Sequence, residues 1–184
     1  MHDHEGEKPV RYTSAPLPPY RYLPGRAPHP RRDPAGHSYG EPEPVAPRWH
    51  PLDWNTLEPW LRAVDLFNAG YWWEAHEQLE ALWKAAGKTT REARFVRGVL
   101  HIAAAVLHRE LGREPSSLKQ GNAGLHALEN AELELGERHY MGIDVSQWME
   151  QVRLWLDARA RSAPEIILEA DSEKAAARGP CSKT

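Results

Sequence analysis

Cysteine is nearly missing from this chain: Cys181, close to the end of the 184 residues, is the single one. That excludes an internal disulfide framework and a cysteine-built zinc site, and it fits a reducing cytoplasm. Charge of one sign is also missing. Lys plus Arg total 23 against 26 Asp plus Glu, a net of −3, so composition points to no particular polyanion or membrane partner. Long apolar runs are absent too. VLHIAAAVL at 99–107 is about half a membrane span and carries His101. The opening MHDHEGEKPVRY has no apolar segment of the kind a secretory signal needs. The expectation is a soluble cytoplasmic protein with no membrane partner.

Proline is plentiful, but only at one end. Twelve of the sixteen prolines fall in residues 1–51, whereas all eight tryptophans lie at 49 or beyond. We therefore divide the chain into a proline-rich extended arm (1–51), a helical bundle domain (52–168) and a flexible C-terminal tail (169–184). PPYRYLPGRAPHPRRDPAGHSYG, at 18–40, cannot be helical, because proline removes backbone donors and pushes the preceding residue to extended geometry. Turns are expected at Pro24-Gly25 and Ala35-Gly36.

The arm differs from an ordinary solvated linker. It carries Tyr12, Tyr20, Tyr22, Leu23 and Tyr39, and residues 9–32 hold five arginines and no acid. Residues 52–184 hold sixteen basic and twenty acidic side chains. A basic arm and an acidic bundle are complementary. Thirty extended residues reach roughly 90 Å, against a radius of gyration of about 14 Å for such a domain. The arm is thus long enough to wrap its own bundle or a partner subunit, so a homo-oligomer or an arm-docking partner is the expected association. The arginines do not make a convincing nucleic-acid site.

Beyond residue 52 the apolar period is that of a helix, and no alternating strand of useful length is present. The class is all-α: a compact bundle of about five helices. Leu57, Trp60, Leu61, Val64 and Phe67 share one face, capped by Asn55 or Thr56. Helix two runs from about Tyr71 to Ala86 and stops at Gly87, and Thr89 with Glu92 reads as the capping box of helix three. Gly121 and Gly124 inside helix four mark either close helix approach or a late start. Asp144 with Gln147 caps a fifth helix, and IILEA at 166–170 reads as a short further one.

The chemistry concentrates in GYWWEAHEQLEALW, residues 70–83. On a helical wheel Trp72, Ala75, Leu79, Leu82 and Trp83 form a buried stripe. His76 and Glu80 lie one turn apart at its edge, Glu77 sits beside them, and Glu74 faces outward to solvent. Helix three is apolar over most of its circumference and leaves one polar stripe of Arg94, Arg97, His101 and His108. A buried charge needs a partner, and Glu77 and Glu80 on the preceding helix are the natural ones. Three readings stay open: an interhelical ion-pair network, a pocket for an anion or small molecule, and a divalent-metal or acid–base site using His76 and Glu80 with His101 or His108. HEQLE is not HExxH, because Glu80 stands where the second histidine belongs, and the Glu-x-x-His signature of di-iron bundles is absent. No cofactor and no reaction are defined by these residues.

The stretch DLFNAGYWWEAHEQLEALWKAAG, with ARFVRGVLHIAAAVLHRELG and GNAGLHALENA, resembles the bacterial and archaeal proteins grouped as domain of unknown function 309. The matching elements include Phe67-Asn68, Gly70-Tyr71, the EAHExxE run from Glu74 to Glu80, Trp83, Gly98 and Gly121-Asn122. The resemblance covers about residues 60–135 and implies a compact helical bundle without implying an activity. The arm also resembles an N-terminal extension of some members, which implies a docked element. The sequence thus points to a binding or assembly module with a polar His/Glu/Arg cluster between helices two and three. The alternative is a small enzyme, such as a metal-dependent hydrolase, using His76 with Glu77 or Glu80.

Overall fold

The computed structural model describes residues 10–87, 89–135 and 139–169, with the side chains of 132–135 outside that description. Five α-helices follow one another: α1 (Glu58–Asn68), α2 (Trp72–Ala86), α3 (Arg91–Glu110), α4 (Glu114–Leu135) and α5 (Val145–Leu156). A 3-10 turn, Pro51–Thr56, precedes α1. A two-residue ladder, β1 (His139–Tyr140) and β2 (Ile143–Asp144), precedes α5 and pairs antiparallel with Tyr140 opposite Ile143. No helix of the described residues is long and apolar enough to cross a membrane.

Consecutive helices pack on one another, with α3 against both α2 and α4. The reason is visible in α3, where Phe95, Val96, Val99, Ile102 and Ala103 have no exposed surface at all. A helix apolar on most sides must be covered on most sides. The α3–α4 contact depends on glycine. A Cβ on Gly98 would stand 2.6 Å from Leu128 Cγ, and one on Gly124 would stand 2.6 Å from Ile102 Cδ1 and 2.9 Å from the Gly98 carbonyl. A Cβ on Gly121 would collide with Leu156 of α5. These glycines therefore serve close helix approach, the first of the two expectations, and α4 starts early, with Pro115 in its first turn.

Several local expectations change. The cap of α3 is Thr90, whose hydroxyl accepts from the Ala93 amide at 3.1 Å, one residue later than the expected Thr89. Leu57 occupies the start of α1 without a side-chain cap, because residues 51–56 already form the 3-10 turn. The stretch beginning at Ile166 is not helical. Asn68 of α1 clamps it in extended form, donating to the Ile166 carbonyl and accepting from the Ile166 amide, both at 2.8 Å. Asp144 does cap α5, accepting from Gln147 N at 3.0 Å. Nearly all of the tail assigned to 169–184, namely 170–184, lies outside the described residues, as do residues 1–9 of the arm.

The arm lies along α1 and α2 of its own chain. Tyr12 and Leu17 pack on the edge of the main core, and Leu23 is buried. Arg26 N donates to the Leu23 carbonyl at 2.8 Å across the Pro24-Gly25 turn, with Gly25 at φ +82, the backbone a type II turn requires at that position. Residues 29–39 close into a compact loop, with Ser38 N donating to the Pro30 carbonyl at 3.0 Å. After an exposed stretch around Val45, Trp49 donates its indole N–H to the Leu82 carbonyl at 3.1 Å.

Candidate functional site

Three carboxylates on α1 and α2 receive the arm. Asp65 of α1 is fully buried. One of its oxygens accepts from the Tyr12 amide at 2.7 Å; the other accepts from the Thr13 amide at 2.9 Å and the Thr13 hydroxyl at 2.6 Å. Arg11 Nε approaches at 3.1 Å. Burial pushes the Asp65 carboxyl up, but the Thr13 hydroxyl, the Tyr12 amide and Arg11 together outweigh it, so the net shift is downward and the group is a carboxylate. Just downstream in the arm, Arg62 of α1 donates to the Ala15 carbonyl at 2.9 Å and also to the Pro16 carbonyl. The Tyr71 hydroxyl donates to the Pro18 carbonyl at 3.1 Å.

The second carboxylate is Glu74, which is 5% exposed. Its Oε1 accepts from the Tyr22 amide at 2.8 Å and meets His37 Nε2 at 3.1 Å. The expectation that Glu74 faces solvent is corrected here: it points away from the bundle core, and the arm then covers it. Around it Tyr22, His29 and Trp73 pack ring to ring with centroids 5.1–5.3 Å apart, and Tyr20 stacks edgewise on His37 at 4.8 Å. The third carboxylate, Glu77, pairs with Arg31 Nε at 2.7 Å, and both side chains are mostly covered. Arg31 also donates to the carbonyls of Glu41 and Pro42, so it holds the end of the arm loop and the bundle together.

The sites expected from sequence divide accordingly. Among the described residues, the cations within ion-pair distance of Glu77 and Glu80 are Arg31 and Lys84, the latter at 3.1 Å one turn along α2. Arg94 is half-buried on α3 and Arg97 is exposed. His76 is half-buried. Burial is the main cause of its lowered pKa; Glu80 opposes that shift and His101 adds to it, so these three residues are electrostatic neighbours. His101 also reaches α4, with Nδ1 2.7 Å from Gln120 Oε1. Burial, helped by Arg113, also lowers the pKa of His108. No group of three or more His, Cys, Asp or Glu is placed to hold a metal ion among the described residues.

Sequence reasoning missed Asp65, Arg62 and His37. Asp65 had a readable signal: an aspartate inside VDLF, on a helix whose neighbours Val64, Leu66 and Phe67 are all buried, must find donors somewhere. Arg62 and His37 carried no such signal, because their partners are backbone carbonyls or a glutamate far away in sequence.

Residues 60–119 match the model of a protein family described as a domain of unknown function (DUF309), the family whose motifs the stretch 67–83 resembles. The matched segment runs from α1 into α4, so it contains Asp65, Glu74 and Glu77 but none of the arm that they receive. No curated protein matches the chain.

Proposed function

We propose that this protein is a binding or assembly module whose α1–α2 face receives an extended, basic, tyrosine-bearing segment. The observation that carries the reading is how the arm is held. Asp65 and Glu74 accept from the backbone amides of Tyr12, Thr13 and Tyr22, while Arg62 and Tyr71 donate to the carbonyls of Ala15, Pro16 and Pro18. Side chains that read main-chain donors and acceptors recognise an extended peptide by its form. Charge pairing at Arg11 and Arg31, with the aromatic packing on Trp73, adds selectivity for this composition.

The test uses the full chain with its own arm weakened by Arg11→Ala and Arg31→Ala. A fluorescent peptide of residues 10–40 is titrated into it and followed by anisotropy. Saturable binding is expected, and it should disappear when Asp65→Asn and Glu74→Gln are added. Absence of saturable binding to the arm-weakened chain would remove the reading.

A metal-dependent hydrolase built on His76 has one observation in its favour. Burial holds the imidazole neutral at physiological pH, the form that ligates a metal or takes a proton. Its proposed partners are otherwise engaged, Glu77 by Arg31 and Glu80 by Lys84. Stoichiometric metal in untagged protein, lost in His76→Ala, would reverse this order.

A further inference from the structure

We infer that the α1–α2 face takes the arm of a second copy of this chain, so that two molecules assemble by trading arms. This rests on the peptide-receiving reading above and names its partner. The arm and the face are self-complementary: Arg11 with Asp65, Arg31 with Glu77, His37 with Glu74. Each chain carries both halves, as a two-fold symmetric association requires.

The connection permits the trade. Interactions that fix the arm end at Pro42, whose carbonyl accepts from Arg31 at 2.8 Å. The chain is anchored again at Ala46, 9% exposed and part of the main core, and then at Trp49, whose indole donates to the Leu82 carbonyl. Between the anchors run Glu43, Pro44 and Val45. Val45 is 87% exposed, and Glu43 reaches Lys84 only at 4.0 Å with both side chains largely in water. Pro44 confines Glu43 to extended geometry, so this hinge is a short strut of about 9 Å at roughly 3.1 Å per residue. Redirecting it outward costs little, because Val45 is already in water and the Glu43–Lys84 contact is long and exposed.

Every contact made by residues 11–42 would transfer unchanged to the neighbour. That includes the bond from Leu168 N to the Tyr12 hydroxyl, because Leu168 belongs to the receiving body. The traded and untraded forms differ only in the hinge and in the entropy of joining two molecules. A tethered arm has an effective local concentration near the millimolar range. The traded dimer therefore grows with protein concentration.

The experiment mixes two full-length variants, R31E and E77R. Each alone sets like charges against one another at the Arg31–Glu77 contact, whether its arm is placed on itself or on an identical copy. In the mixed pair both contacts regain opposite charges. With one variant labelled with ¹⁵N, native mass spectrometry of the mixture should show a heterodimer as the principal dimer, while each variant alone stays largely monomeric. Two separate monomer populations after mixing would overturn the inference. Mixing labelled and unlabelled wild-type protein provides a route free of substitutions. Mixed-isotope dimers should increase with concentration up to the millimolar range, and their absence throughout would also overturn it. Peptide binding to the arm-weakened chain that persists when neither mixture yields dimers would leave the receiving face in place and remove only the second copy as its occupant.

Discussion

One helix, α2, carries two polar edges with different fates. Glu74 and Glu77 face the arm and are covered, each bound to residues more than thirty positions away in sequence. Glu80 lies further along and pairs with Lys84 on the same helix, where it stays about 41% exposed. The three glutamates sit within two turns of each other on one helix. They differ in what crosses over them. A surface carboxylate becomes structural when a non-helical segment brings backbone amides to it, and the helix itself has no means of recording that.

Breaking the arm-covered carboxylates, Asp65 of α1 with Glu74 of α2, should have the larger effects. Asp65→Ala removes the acceptor for two half-buried amides and one hydroxyl, and should lower unfolding stability by about 3 kcal/mol. Denaturant titration measures this. In the wild type the lowered Asp65 pKa means that its contribution is fully present above the ordinary aspartate value of about 3.9 and lost as pH falls through the lower folded value. Asp65→Asn should remove that acid-side loss. Next comes Glu74→Ala, which strands the Tyr22 amide and His37 in a covered site. A cost of about 2 kcal/mol is expected, with trypsin cutting faster at Arg21 and Arg26 while the helical circular dichroism is retained.

The other edge should respond to pH before it responds to truncation. Burial lowers the His76 pKa, so the unfolded chain binds a proton more readily than the folded one below about 6.5. Stability from His76 is present above that value and falls as pH drops towards the folded pKa. His76→Gln should flatten the stability profile below about pH 6.5, read from urea midpoints at several pH values. Smallest of all, Glu80→Gln should change stability by less than about 0.5 kcal/mol, because its ion pair is exposed and lies within one helix. A loss comparable to that of Glu74→Ala would erase the distinction between the two edges.

Much of the bundle was legible from periodicity. The apolar wheel of α3 predicts a central helix, and Phe95, Val99 and Ile102 have no exposed surface. Gly121 and Gly124 predicted either close packing or a late start, and the positions of Leu156 and Ile102 decide for packing. The clear misreadings occur where non-helical chain meets helix. IILEA carries apolar residues suited to a turn of helix, yet Asn68 holds Ile166 extended. Glu74 was placed at the solvent edge because the wheel knows only the bundle. Arm docking itself was foreshadowed by charge and tyrosine content. The registry that puts Arg31 on Glu77 could not be read, because a proline-rich segment has no period to align.

The central claim is that the arm's backbone is bound through the carboxylates of α1 and α2. Amide hydrogen exchange of the full-length protein, resolved by residue with NMR, tests it most directly. The account predicts strong protection at Tyr12, Thr13 and Tyr22 in the wild type. That protection should collapse at Tyr12 and Thr13 in Asp65→Asn and at Tyr22 in Glu74→Gln, with the α3 amides unchanged. Wild-type amides at these three positions that exchange as fast as an unstructured chain, beside a fully protected α3, would contradict it.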